Sequence, residues 1–188
     1  MKIDHFGWIA PWYERYASVE TPQALLRLVG AGSESVLLDA GGGTGRIAQA
    51  FARQGVRTFV ADLSPVMARL AGRKPSVVAV CAAAESLPFS GGYFDRIIMV
   101  DAFHHLVSHQ ETVEELWRVL KPGGRLVIEE PDIRTFYVKL IAVAEKLLLM
   151  RSHFLSPAKI MAFFAGKPAD SRIEGQGNTA WVVIDKKH

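Results

Sequence analysis

Five short, unbroken apolar runs set the rhythm of the chain: residues 35–40 (SVLLDA), 57–62 (RTFVAD), 76–82 (SVVAVCA), 95–101 (DRIIMVD) and 125–130 (RLVIEE). Runs of this length, rich in Val and Ile and not alternating with polar residues, suit strands covered on both faces, as in a parallel sheet. Helical patterns fill the gaps between them. Residues 45–54 place Ile47 and Phe51 four apart, with Gly55 as a stop. Ser64-Pro65 reads as an N-cap and first-turn proline, closed by Gly72. Ser108 and Glu111 have capping-box spacing, and Val113, Leu116, Trp117 and Leu120 then line one face before Lys121-Pro122-Gly123-Gly124 turns the chain. Near the end, 170–175 and 179–186 read as two strands joined by Gln176-Gly177-Asn178, an antiparallel hairpin. Alternating strands and helices predict an α/β fold, a Rossmann-like, doubly wound, mostly parallel sheet that ends in this hairpin.

Composition narrows the class. The 188 residues suit one domain, 1–188, and with 49% apolar and 22% charged residues the chain can bury a full core. The net charge of +3 is small and forms no basic run, so nucleic acid is not an expected partner. Cys81 is the single cysteine, which excludes an internal disulfide and a Cys-based zinc cluster and fits a reducing compartment. No metal-ligand spacing is found around the histidines. Asp4, His5 and Pro11 interrupt any N-terminal apolar stretch, and Lys139, Glu145 and Lys146 interrupt 137–150, so neither a secretory signal nor a transmembrane segment is expected. The expectation is a cytoplasmic protein.

The chemistry gathers where the first strand meets the first glycines. Asp39-Ala40-Gly41-Gly42-Gly43-Thr44-Gly45 runs from strand end into helix, the position where open α/β sheets bind ligands. Glycine lets the backbone turn tightly and approach a ligand closely, and the helix start offers unpaired N–H groups. Asp62 ends the second strand about twenty residues later, where a carboxylate can accept from both hydroxyls of a ribose. Ala40-x-Gly42-x-x-Gly45 can be taken as a degraded dinucleotide fingerprint, which keeps an NAD-type oxidoreductase open. Gly41-x-Gly43-x-Gly45 preceded by Asp39 does not suit NAD. No G-x-x-x-x-G-K-[ST] occurs, which removes a P-loop nucleotidase.

VLLDAGGGTGRIAQAF, AAAESLPFSGGYFDRIIMVDAFHHL and ELWRVLKPGGRLVIEEPD, in that order, resemble the class I S-adenosylmethionine (SAM) dependent methyltransferases. Within them the chain is most similar to the ubiquinone/menaquinone-biosynthesis type, also called methyltransferase type 11. The likeness covers roughly 6–132 and implies a seven-stranded sheet, SAM as cofactor and S-adenosylhomocysteine (SAH) as product. It places Gly41 and Gly43 against the methionyl and ribose part, Asp39 at the methionyl ammonium, Asp62 at the ribose hydroxyls and Leu63 on the adenine, with Met67 either beside it or simply helix core. The backbone of Ala84 and Glu85 would read the adenine edge, and Val100 begins the segment beside the methionyl group. One departure stands out: relatives carry an Asp where this chain has Ala83, so one adenine hydrogen bond, worth ~0.5–1.5 kcal/mol, is missing.

After strand four, Asp101-Ala102-Phe103-His104-His105 faces the acceptor side in relatives. His104 and His105 either shape the pocket or one of them serves as general base. Alternation sends Glu129 and Glu130 to opposite faces, one toward the cleft or both as solvated rim charges. Lys121 is expected at the surface. The aromatics of 1–20 (Phe6, Trp8, Trp12, Tyr13, Tyr16) could form a lid or pack on the helices, and 136–150 could wall an apolar pocket. These features favour methyl transfer to a small, partly apolar acceptor by direct displacement. The competing reading is a non-catalytic methyltransferase-like module that binds SAM or a partner.

Overall fold

The computed structural model describes residues 23–134 and 153–188. The aromatic segment 1–20, the helix start at Thr21-Pro22 and the segment 136–150 lie outside the described residues. The elements follow in the order α1 (Gln23–Val29), β1 (Val36–Ala40), α2 (Arg46–Ala52), β2 (Arg57–Asp62), α3 (Pro65–Ala71), β3 (Val77–Cys81), β4 (Phe94–Val100), a 3-10 turn (Phe103–His105), α4 (His109–Val119), β5 (Leu120–Pro131), α5 (Pro157–Ala162), β6 (Ala169–Gln176) and β7 (Thr179–Lys186). Each of the five apolar runs is a strand. The final pair is the expected hairpin, turning at Gly177 in the left-handed region.

Seven strands form one sheet in the order β3-β2-β1-β4-β5-β7-β6. The first five are parallel, and β7 pairs antiparallel with both β5 and β6. Strand order reverses between β1 and β4, and ligands of open α/β sheets bind at such a reversal. Consecutive residues of one strand feed opposite layers. Leu37, Ile98 and Val127 pack with α1 and α2 around Leu25, Leu28 and Phe51, whereas Leu38, Ile97 and Ile128 pack with α4 and α5 around Leu116 and Ile160. Helix α3 joins the α2 side through Ala71, which packs with Ala48, Ala52 and Val60.

Two local features differ from the sequence expectation. In the β4–β5 ladder Phe94 pairs with Leu120 and Arg96 with Arg125, so residues 121–124 loop out of the pairing instead of preceding the strand. Gly123 takes a φ of 74° at that excursion, a conformation glycine adopts at no steric cost. Lys121 is not a bystander either: its Nζ donates to Asp95 Oδ1 at 2.8 Å, while Asp95 Oδ2 accepts from the Val36 amide at 2.9 Å. Lys121 thus ties the β5 excursion to the start of β1 through Asp95.

Phe59, Phe89, Tyr93 and Phe94 form an aromatic knot, with ring centroids between 4.9 and 5.9 Å apart. Phe94 is fully buried at its centre. Truncation there removes a large side chain from a site that cannot collapse. Phe94→Ala is expected to lower unfolding free energy by about 3–5 kcal/mol, read by urea denaturation; a loss below 1 kcal/mol would contradict this account of the knot.

Candidate active site

The glycine loop folds as its spacing suggests, with φ of 70° at Gly41, 54° at Gly43 and 75° at Gly45. Gly45 caps α2 in the left-handed conformation. A Cβ on Gly41 would lie 2.8 Å from Cβ of Ala102, so the loop presses against the exit of β4. A Cβ on Gly42 would lie 2.6 Å from Cγ of Asp39. Among the described residues, nothing lies within 4 Å of a Cβ at Gly43, so this backbone borders space open to a ligand.

Asp39 therefore sits directly beneath the loop, only 1% exposed, and neither carboxylate oxygen has a hydrogen-bond partner at full geometry. Burial pushes its carboxyl up to about 7 and the nearby Asp62 charge adds to this; the Ala48 amide and Arg46 offset only part. A buried carboxylate in this state is matched by a cation or a set of N–H donors that docks onto it.

Asp62 braces the other side of the loop. Its Oδ2 accepts from the Gly43 amide at 2.9 Å and its Oδ1 from the Ser64 amide at 2.8 Å. A carboxylate oxygen can accept more than one hydrogen bond. Leu63, next along, is 70% exposed, an apolar surface beside that carboxylate. Met67 is buried in α3 and is core, not an exposed adenine contact. Ala84 and Glu85 lie on a tight turn closed by the Ser86 amide to the Ala83 carbonyl at 3.0 Å, and the preceding Ala82 amide donates to the Asp62 carbonyl at 3.0 Å. That bond brings the Ala83–Glu85 stretch to the Asp62 end of the site.

The third wall is the exit of β4. Half-buried Val100 pairs in register with Glu129, and Asp101 follows with a φ of 50°. A non-glycine residue in the left-handed region costs of order 1–3 kcal/mol, and such strain gathers at functional sites. The sequence carries no sign of it. Beyond Asp101, His104 is buried against Glu130 while His105 is half-buried. Burial, reinforced by His104, pushes His105 down to about 4.

Glu129 and Glu130 do point to opposite faces, yet neither is a solvated rim charge. They are 7% and 4% exposed. Glu129 accepts from Trp181 Nε1 at 2.5 Å, and burial pushes its carboxyl up to about 7. Glu130 holds the 3-10 turn. The pairing of Glu130 with His104 spans 26 residues of sequence, so no local motif announces it. Among the described residues no group of three or more His, Cys, Asp or Glu could hold a metal, and no helix is long and apolar enough to cross a membrane.

The family described as the methyltransferase domain matches residues 38–128. That match takes in just under half of the 188 residues of this chain. Among curated relatives of that domain, the demethylmenaquinone methyltransferase of Paenarthrobacter aurescens is 35% identical over 95 residues, 50% of this chain and 38% of that protein. The chain thus spans less than half of the curated relative it matches. Two solved structures share the fold. A putative methyltransferase of Haloferax volcanii, determined in a complex with the Trm112 methyltransferase activator, superposes with a TM-score of 0.84 at 16% identity, covering 100% of both chains. Geranyl diphosphate C-methyltransferase of Streptomyces coelicolor, determined with Mg2+, geranyl diphosphate and SAH, gives 0.70 at 19% identity, covering 87% of this chain and 76% of that one.

The Asp39 environment has a pH signature. Its ordinary carboxyl value of 3.8 becomes about 7 in the fold. Between those values the folded protein keeps a proton that the unfolded chain has released, so stability falls as pH rises through that window. Asp39→Asn is expected to stabilise the ligand-free protein by a few kcal/mol at pH 8, up to about 4, and to make little difference near pH 4. Urea denaturation at both pH values checks this; equal stability of variant and wild type at pH 8 would refute it.

Proposed function

We propose that this domain transfers a methyl group from SAM to a small, partly apolar acceptor. The observation that carries the reading is Asp39: a buried carboxylate without a hydrogen-bond partner, under a glycine loop with open space beside Gly43. A methionyl ammonium supplies what that carboxylate lacks, a cation that is also a hydrogen-bond donor. Asp62, bordering the same space, has lone pairs for ribose hydroxyls, and exposed Leu63 offers an apolar face for the adenine. Gly41 and Gly43 allow close approach of the ligand, Val100 walls the methionyl side, and the Ala84 and Glu85 backbone meets the adenine edge.

SAM supplies, when bound, a methyl group on a sulfonium that a nucleophile can displace. The chain's own contribution is placement and exclusion of water. Asp39 would hold the methionyl ammonium and Asp62 the ribose hydroxyls of the cofactor. His104 and His105 border the acceptor at the exit of β4, with His105 neutral at physiological pH and able to take up a proton. The apolar character of the acceptor is supported by the relatives, whose names give demethylmenaquinone and geranyl diphosphate as their substrates. Ala83 favours a second reading, a methyltransferase-like module without catalysis, and transfer of labelled methyl from SAM to any compound of a cell extract would exclude it.

Calorimetry with SAH tests the cofactor assignment. Saturable binding is expected for the wild-type protein, weakened about 10- to 100-fold by Asp62→Ala through loss of charge-assisted bonds; wild-type protein that binds neither SAM nor SAH would sink the proposal. The affinity has its own pH dependence. Because Asp39 must be ionised to hold an ammonium, affinity is expected to climb from pH 5.5 to 8 and to level off above about 7. A flat profile would remove Asp39 from the ligand contact.

A further inference from the structure

The ends of β4 and β5 meet over a buried carboxylate to which the cofactor assignment gives no role. Glu130 Oε1 accepts from the Phe103 amide at 2.8 Å, and Oε2 pairs with His104 Nδ1 at 2.5 Å. Both contacts go to the 3-10 turn, so one side chain fixes the backbone and a ring of the same three residues. The His104 ring stacks on Phe154 at 4.4 Å and 13°, and its centroid lies 3.9 Å from that of His105. The His104 carbonyl accepts from the His153 amide at 2.7 Å. Among the described residues, His109 on α4 feels both His153 and Glu130, and Glu129 feels Glu130 while its carboxylate is taken by Trp181.

Two imidazoles at 3.9 Å in a buried setting hold one proton far more readily than two, because like charges at that range repel strongly. The carboxylate beside Nδ1 of His104 decides which ring receives it. We propose that Glu130 is a positioning residue that draws the pair's single proton onto His104 and thereby holds His105 neutral at the exit of β4, as the group that accepts the acceptor's proton. This assignment rests on the methyl-transfer reading. As the acceptor atom gains its methyl group it loses a proton, and the bonding pair of that proton stays with the acceptor atom. The lone pair of the neutral His105 ring takes the proton, and the resulting imidazolium releases it to solvent. The low value of His105, set by burial and then by His104, agrees with this division.

The readout is the protonation of individual histidines, followed by long-range nitrogen–proton spectra of histidine-labelled protein. At pH 6.5 the wild type is expected to show His104 doubly and His105 singly protonated. In Glu130→Gln, His104 is expected to become singly protonated, and the His105 midpoint to rise by at least about one pH unit as the neighbouring charge disappears. A merely structural Glu130 would leave the His105 midpoint in place, and that result overturns the proposal. His104→Gln, which keeps the Glu130–Phe103 bond, is the second variant should Glu130→Gln not fold; it too should raise the His105 midpoint, and an unchanged midpoint overturns the proposal. SAH calorimetry on the same samples separates the two levels. Binding within about threefold of wild type in the variants supports a role confined to the acceptor side, whereas a wild type that fails to bind SAH overturns the methyl-transfer reading itself.

Discussion

The contact between the Asp39 carboxylate and the backbone of Gly42 constrains the site more than any other. Asp39 lies one residue before the end of β1, the middle of the five parallel strands, where its side chain is shut off from water by the loop above it. A Cβ on Gly42 would overlap that carboxylate, so the glycine is a packing requirement as much as a conformational one. The neighbouring glycines adopt left-handed conformations so that the chain can cross above the acid and still enter α2. The result is a carboxylate kept in low dielectric, with burial only partly offset by the Ala48 amide and Arg46, a state that costs folding free energy.

The two walls of the site are built on opposite electrostatic principles. On the glycine-loop side the acid is left unsatisfied. On the β5 side both carboxylates are consumed internally, Glu129 by Trp181 and Glu130 by the turn that carries His104. Asp101 joins the walls with a strained backbone whose amide is tied to the Glu129 carbonyl at 3.0 Å. Rigidity on that side suits a group whose protonation state, not its reach, matters.

Local pattern carried much of this architecture. The five buried runs, the capped helices and the final hairpin are each encoded in contiguous residues, and the glycine loop with Asp39 and Asp62 follows from strand–loop–helix placement. Contacts between distant segments were not legible. Alternation put Glu129 and Glu130 on opposite faces but could not show that Trp181 and His104 await them there. Lys121 is at the surface as expected, with its side chain 40% exposed, but its ion pair with Asp95 of the adjacent strand is not legible in local sequence. The looped-out 121–124 segment was taken for a plain turn, since its residues suit either geometry. Met67 sits on the buried face of α3, which an argument from proximity to Asp62 alone could not separate from a ligand contact.

The same quantities weigh on whether Ala83 marks a domain that has lost its cofactor. The missing side-chain hydrogen bond is worth about 0.5–1.5 kcal/mol. The turn that presents this stretch is intact, closed by Ser86 and tied to β2 through the Ala82 amide. Against that loss stands an orphaned Asp39 carboxylate, for which burial without a partner costs several kcal/mol. A chain released from cofactor binding gains stability by replacing such a group with a neutral one, and nothing in the core opposes the change. On the proposed reading, the charge of Asp39 outweighs the one hydrogen bond that Ala83 cannot make.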